Sequence, residues 1–288
     1  MTLIGVVCRS LGATLEMALP TTCGGCGAPG ATWCTGCEYE MGHCAYPGGP
    51  RQVRPTPRPQ GYPPTWAATP YDGVVRAALV AYKDGDRRDL EAVLAPMLSG
   101  AMVCALATDP HFREIQAAAR GPVLVVPVPS SASAVRRRGD APLELLTRTA
   151  LARTARCGSE LMLAPVLRLG RPVADQAGLN HTQRATNLAH AMKLRGRSRD
   201  AVHGVTCLLV DDVLTTGATL VEAARALRAG GANHVAAATV AATPRRGMPF
   251  GAAAHVEQAP SRAATGDPTP GYFDSMYRVA RSWSNVQV

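Results

Sequence analysis

Residues 205–219 constrain this chain more than any other stretch. An apolar run from Val205 to Val210, broken only by Thr206, meets Asp211 and Asp212 and then passes through Thr215, Thr216, Gly217, Ala218 and Thr219. A helical pattern follows from Leu220 to Arg228 and stops at Gly230 and Gly231. A continuous apolar run fits a strand buried on both faces, as in a parallel sheet. The loop behind it sets backbone N–H groups at a helix N-terminus, where unpaired donors and the positive end of the dipole favour an anion. Gly217 lets that backbone approach its ligand closely. Two adjacent carboxylates suit a phosphate poorly but accept hydrogen bonds from a vicinal diol. The ligand implied is a ribose 5-phosphate.

Residues 208–219 resemble the phosphoribosyl pyrophosphate (PRPP) signature of type I phosphoribosyltransferases: three apolar residues, two acids, two more apolar residues and a Thr-Thr-Gly-x-Thr loop. Adjacent acids capping a buried strand need a reason to be there. Other phosphate motifs fail. The sequence holds no G-x-x-x-x-G-K-[ST], and no G-x-G-x-x-G follows a strand, which disfavours P-loop and dinucleotide-binding proteins.

With 288 residues the chain exceeds one such domain, so further modules are expected. Its formal charge is +9, carried by 28 arginines and only two lysines, Lys83 and Lys193. That balance reads either as a polyanionic partner, nucleic acid or pyrophosphate, or as an arginine-biased solvated surface. No apolar run is expected to reach the ~18 residues of a membrane span. The first 19 residues lack a basic n-region and contain Arg9 and Glu16, which favours a docking helix over a signal peptide and hence a cytoplasmic protein.

Nine cysteines, an odd count, fit reduced thiols and metal binding better than a disulfide framework. Cys23, Cys26, Cys34 and Cys37 form C-x2-C, seven residues, C-x2-C. Four thiolates on two Gly-bearing knuckles can close a tetrahedral Zn2+ site and order a segment too small for its own core. Redox dithiols and free thiols are the other readings. His43 and Cys44 lie close enough to substitute as ligands, while Cys104, Cys157 and Cys207 read as buried small hydrophobes.

The expected order is an N-terminal helix and knuckle module (1–46), a Pro-rich linker (47–70), the main domain (71–243) and a mostly disordered tail (244–288). Within the main domain, residues 73–82 and 88–107 read as helices, the second holding Pro96. Residues 123–128 read as a buried strand ending in Pro129, Ser130 and Ser131, followed by Arg136, Arg137, Arg138 and Gly139. Those arginines read as a pyrophosphate contact or as a solvated run. Residues 167–192 carry Arg168, Arg171, Gln176, Gly178, Leu179, Arg184, Asn187 and Leu188, and a helix is expected over 182–194. That stretch is a mobile lid or an ordinary connection.

Taken in order, the Cys knuckles, the Lys83 segment, the Val-Pro-Val-Pro turn with Arg-Gly, the Gln, Arg, Asn stretch and the PRPP loop resemble the ComF family of competence-associated, amidophosphoribosyltransferase-like proteins. The resemblance covers roughly residues 19–243. One departure is Asp140-Ala141-Pro142, where that family commonly has an aromatic and amides. The resemblance implies an open, mostly parallel α/β sheet of the type I kind. It also implies Mg2+ bound with PRPP, and catalytic roles for Asp211, Asp212, Arg184 and Lys83. In that scheme the ribose hydroxyls go to Asp211 and Asp212, and the 5-phosphate to the loop from Thr215 to Thr219. Pyrophosphate goes to Pro129, Ser130, Ser131 and Arg138. Two function classes stay open: phosphoribosyl transfer to an unknown acceptor, or a catalytically silent PRPP-fold protein in DNA uptake or single-stranded DNA handling. No glutamine-hydrolysing domain is legible, and oligomeric state is not read.

Overall fold

The computed structural model describes residues 21–118, 121–131, 135, 136, 138–154, 160–171, 173, 181–196 and 198–244. In chain order the elements are α1 (Thr35–Cys44), β1 (Arg51–Val53), β2 (Thr65–Pro70), α2 (Gly73–Asp84), α3 (Glu91–Thr108), α4 (Pro110–Ala117) and β3 (Val123–Pro127). Then come α5 (Pro142–Thr154), β4 (Leu161–Leu163), β5 (Leu167–Leu169), α6 (His181–Leu188), β6 (Met192–Leu194), α7 (Ser198–Val202), β7 (Thr206–Leu214), α8 (Ala218–Ala229) and β8 (His234–Ala242). The N-terminal helix, Cys8, Cys157 and almost all of the expected tail lie outside the described residues.

Six strands form one sheet in the order β1-β2-β8-β7-β3-β4, parallel throughout except for β1 against β2. This is the expected α/β class. Its strands are apolar on both sides because both faces are covered. Along β7, Leu208 and Val210 enter one core with α2, α3 and α5, whereas Cys207 and Leu209 enter the other with α8 and the β5–β6 ribbon. Alanines supply most of β8, and their small side chains let α3 lie close on the sheet.

Helix α3 corrects one expectation. Residues 88–108 are long and apolar enough to cross a membrane by length and composition alone, but two thirds of the most apolar 18 residues among them are buried inside the fold. A helix apolar around most of its circumference is what the middle of a core requires. Pro96 sits inside it, as expected.

The expected linker is corrected too. Residues 47–70 supply β1 and all of β2, whose six residues are buried between β1 and β8. Prolines 63, 64 and 70 bracket the strand rather than abolish it, since proline is tolerated where a ladder begins or ends. The helix expected over 182–194 stops at Leu188. His190 adopts a left-handed φ of 55°, and Met192–Leu194 instead pairs antiparallel with Leu167–Leu169. Met192 is buried and Lys193 exposed, the alternation of a ribbon lying on a core.

Candidate functional site

Because β2, β8, β7 and β3 run parallel and in register, their C-terminal ends share one edge: Pro70 lies beside Ala242, Leu214 beside Ala242, and Pro127 beside Val210. Ligands of open parallel sheets bind at this edge. Asp211 and Asp212 stand there, and being consecutive in a strand they point to opposite faces. The Asp212 N–H donates to Asp211 Oδ1 at 2.9 Å, and the Val213 N–H donates to Asp212 Oδ1 at 2.8 Å.

Their environments differ. Asp211 is buried, and burial together with the neighbouring Asp212 charge pushes its carboxyl up to about 8, with Lys83 opposing. Asp212 receives the Lys83 ammonium at 2.6 Å. The Asp212 carboxylate in turn holds the lysine above its ordinary range. Lys83 therefore belongs to the acid pair, across 129 residues of sequence.

Helix α2 presents Lys83 from its last turn, and two arginines fix that end. Arg88 donates to the Tyr82 carbonyl and forks onto Asp140 at 2.6 and 2.9 Å. Arg138 donates to the Lys83 carbonyl at 2.7 Å and reaches Asp84 at 3.3 Å. Cationic groups at a helix C-terminus satisfy its last carbonyls and oppose its dipole. Arg138 was expected on pyrophosphate; here its guanidinium lies against the lysine-bearing helix, with Nε buried and unpartnered. Asp140, the departure from the ComF pattern, is occupied by Arg88, which holds its carboxyl below the usual range. Tyr82 adds a further tie, donating to the Pro142 carbonyl at 2.9 Å.

The loop from Thr215 to Thr219 leads into α8 as expected, with Gly217 at the N-cap and a left-handed φ of 78°. Tyr62 and Pro55 cover it: a Cβ on Gly217 would lie 2.9 Å from Tyr62 Cε2 and 3.1 Å from Pro55 Cγ. Gly217→Ala is therefore expected to cost about 1–2 kcal/mol from strained φ and crowding. Urea unfolding of the variant measures it, and an unchanged midpoint would contradict it. Downstream, Glu222 of α8 accepts from the Met192 N–H at 2.8 Å and from Arg225, so the ribbon is tied to the helix behind the loop.

Pro129, Ser130 and Ser131 follow β3 at the same edge, held by the Val128 N–H donating to Val210 O at 2.9 Å. Arg184 lies on α6, its side chain outside what is described. Arg137, Gln176, Gly178 and Leu179 also lie outside the described residues.

The second site holds the four cysteines. Cys23 Sγ lies 3.6 Å from Cys37 Sγ, and Cys26 Sγ lies 3.7 Å from Cys34 Sγ, with all four within 4.8 Å of one another. A tetrahedron with Zn–S bonds of 2.3 Å has edges of about 3.8 Å, so these sulfurs can surround one such ion. Burial raises the Cys23 thiol, but backbone N–H groups near its sulfur outweigh that and bring it to about 6. The glycines of the first knuckle are closely packed: a Cβ on Gly25 would lie 2.6 Å from Cys37 Sγ, and one on Gly24 2.5 Å from Leu90 Cδ1. His43 and Cys44 stand outside the cluster, with the His43 ring bonded to Tyr39 O. Cys207 is buried as expected, whereas Cys104 is only half-buried and donates to Pro50 O at 3.1 Å.

The phosphoribosyl transferase domain matches residues 150–252, which take in β4 to β8 and the loop before α8. Residues 150–252 are thus similar to a phosphoribosyl transferase domain, and they supply part of a mostly parallel α/β sheet. No curated protein matches the chain. Among solved structures, one described as the structure of the allosteric regulatory enzyme of purine biosynthesis is similar at 17% identity over 56% of this chain, with a TM-score of 0.31. This chain spans 30% of the length of that one.

Proposed function

We propose that this protein is a PRPP-binding phosphoribosyltransferase of the ComF type, transferring the phosphoribosyl group to an acceptor that its residues do not name. The observation that carries this reading is the meeting of Lys83 with the Asp211–Asp212 pair beside the Thr215 to Thr219 loop. Asp211 and Asp212 accept the ribose hydroxyls, and the α8 N-terminus takes the 5-phosphate. Lys83 is a compact cation that can leave Asp212 for the pyrophosphate, which frees that carboxylate for the sugar. Pro129, Ser130 and Ser131 lie where pyrophosphate would rest. Arg138 acts through Lys83, by fixing the carbonyl end of its helix.

The edge offers hard oxygen donors, Asp212 and the hydroxyls of Ser130, Ser131 and Thr215, a set that suits Mg2+ carried in by PRPP. When bound, it would neutralise charge on the departing pyrophosphate. Leaving-group departure makes the ribose cationic, so the Asp212 carboxylate stabilises developing positive charge and no protein nucleophile is required. Exclusion of water falls to the segment that includes α6 and Arg184. In the module before β1, the four thiolates hold a structural Zn2+.

Calorimetric titration with Mg-PRPP tests the reading. Wild type and Lys193→Arg are expected to bind alike. Lys83→Arg is expected to bind at least about tenfold more weakly, because a bulky planar guanidinium that forks onto Asp212 cannot pass from that carboxylate to pyrophosphate as the compact ammonium does. Equal binding by both variants would remove Lys83 from the site, and no binding by wild type would overturn the function. A parallel single-stranded DNA titration at several salt concentrations gives the competing result: DNA binding without PRPP binding would favour the silent, DNA-handling protein.

A further inference from the structure

At the opposite edge of the sheet, where β8 begins, three side chains from distant parts of the sequence converge. Asp109 and His111 flank the first residue of α4, and His234 opens β8. His234 Nε2 lies 3.2 Å from each oxygen of Asp109, and His111 Nδ1 lies 3.8 Å from Oδ1. The two imidazoles stack, centroids 4.1 Å apart at 8°, and the Phe112 ring packs edge-on against His234 at 5.7 Å.

Asp109 has an ordinary structural task, capping α4 by accepting the His111 N–H at 2.9 Å. Capping does not call for two imidazoles turned toward one carboxylate that is itself 3% exposed. Nor is the cluster sealed: it borders a cavity of about 530 Å³, whose wall includes Arg51, Gln52, Trp66 and Thr108.

We propose that Asp109, His111 and His234 form a metal site for Zn2+ or a similar first-row divalent ion, separate from the four cysteines and from the PRPP edge. Two imidazole nitrogens and one carboxylate are a donor set such ions favour, and three protein ligands leave a coordination position open, here toward the cavity. Ligand atoms about 2.1 Å from one ion lie roughly 3.0–3.4 Å from each other. The His234–Asp109 pair already meets that. His111 closes its longer gap by turning its ring, a soft torsion in a side chain 58% exposed, and the turn unstacks the imidazoles. No spacing pattern announces this cluster, because 123 residues separate His111 from His234 and neither sits in a ligand-spaced pair.

Cobalt(II) distinguishes this site from the cysteines, since a nitrogen and oxygen site absorbs in the visible without thiolate charge-transfer bands. The full chain, with its thiolate site filled by zinc and loosely held metal dialysed away, is titrated with Co2+. The wild type is expected to show a saturable band at one equivalent, free of thiolate character. That band is expected to vanish in His111→Ala, which alters a half-exposed side chain, and in His234→Ala. Circular dichroism confirms that both variants fold. Absence of a saturable band in the wild type up to millimolar Co2+, or an unchanged band in His111→Ala, would overturn the proposal and leave a hydrogen-bonded His–Asp pair.

Discussion

Asp211→Asn is expected to make the ligand-free protein more stable at pH 8 while weakening Mg-PRPP binding by at least about tenfold. In the folded chain the Asp211 carboxyl titrates at about 8 instead of the ordinary 3.8. Between those values the native state holds a proton that the unfolded chain releases. The stability that Asp211 contributes is therefore full below about pH 4 and is lost as pH rises from there through 8. Asparagine is neutral throughout and still offers Oδ1 to the Asp212 N–H, so the variant escapes that loss. One pKa unit corresponds to about 1.4 kcal/mol, and allowing for water near the edge the gain at pH 8 is on the order of 3 kcal/mol. Urea midpoints at pH 5 and pH 8 measure it. A variant less stable than wild type at pH 8, or a difference that does not shrink toward pH 5, would contradict this account of Asp211. The trade of stability for ligand binding is what a strained functional carboxylate predicts.

Removing metal from the four cysteines is expected to lower stability by about 3 kcal/mol or more, a fall in Tm of roughly 6–12 °C. The effect should reach beyond the module, because Cys23, Cys37 and Met41 share a core with Leu90, Leu94 and Trp66. Cys23→Ser should reproduce chelation. Cys44→Ser, outside the cluster, should not. Metal analysis of protein purified under reducing conditions should give about one Zn2+ at the cysteines. Finding none there, or a Tm indifferent to chelation, would rule out the structural metal.

What the sequence disclosed and what it withheld follow from the range of the interactions. The β7 strand, its acids and the loop into α8 were legible because strand, carboxylates and glycine turn are consecutive. The cysteine cluster was legible because two knuckles fix its spacing. Lys83 drew notice by the scarcity of lysine and by the family resemblance, not by its partner, since Asp212 is 129 residues away. Strand β2 was hidden among prolines, as Thr-Trp-Ala-Ala-Thr acquires its conformation from β8 rather than from its own propensity. The ribbon strand β6 was mistaken for helix because Met-Lys-Leu is decided by pairing with Leu167–Leu169. Arg138 was read as a ligand contact since a basic run after a turn does not reveal which helix end it meets.

The placement of β2 also bears on how the molecule avoids itself. One boundary of the sheet is β1, three residues long, with Arg51 and Gln52 exposed. Short, charged boundaries are poor templates for another chain. A fragment beginning after Pro70 would strip away both strands and leave β8 as the new boundary, nine residues without a carboxylate, lysine, arginine or proline. Its bare amides and carbonyls would invite a second copy to add on. The proline-rich stretch thus covers β8 from within the sheet, and cutting it away is expected to yield precipitate rather than a smaller protein that stays in solution.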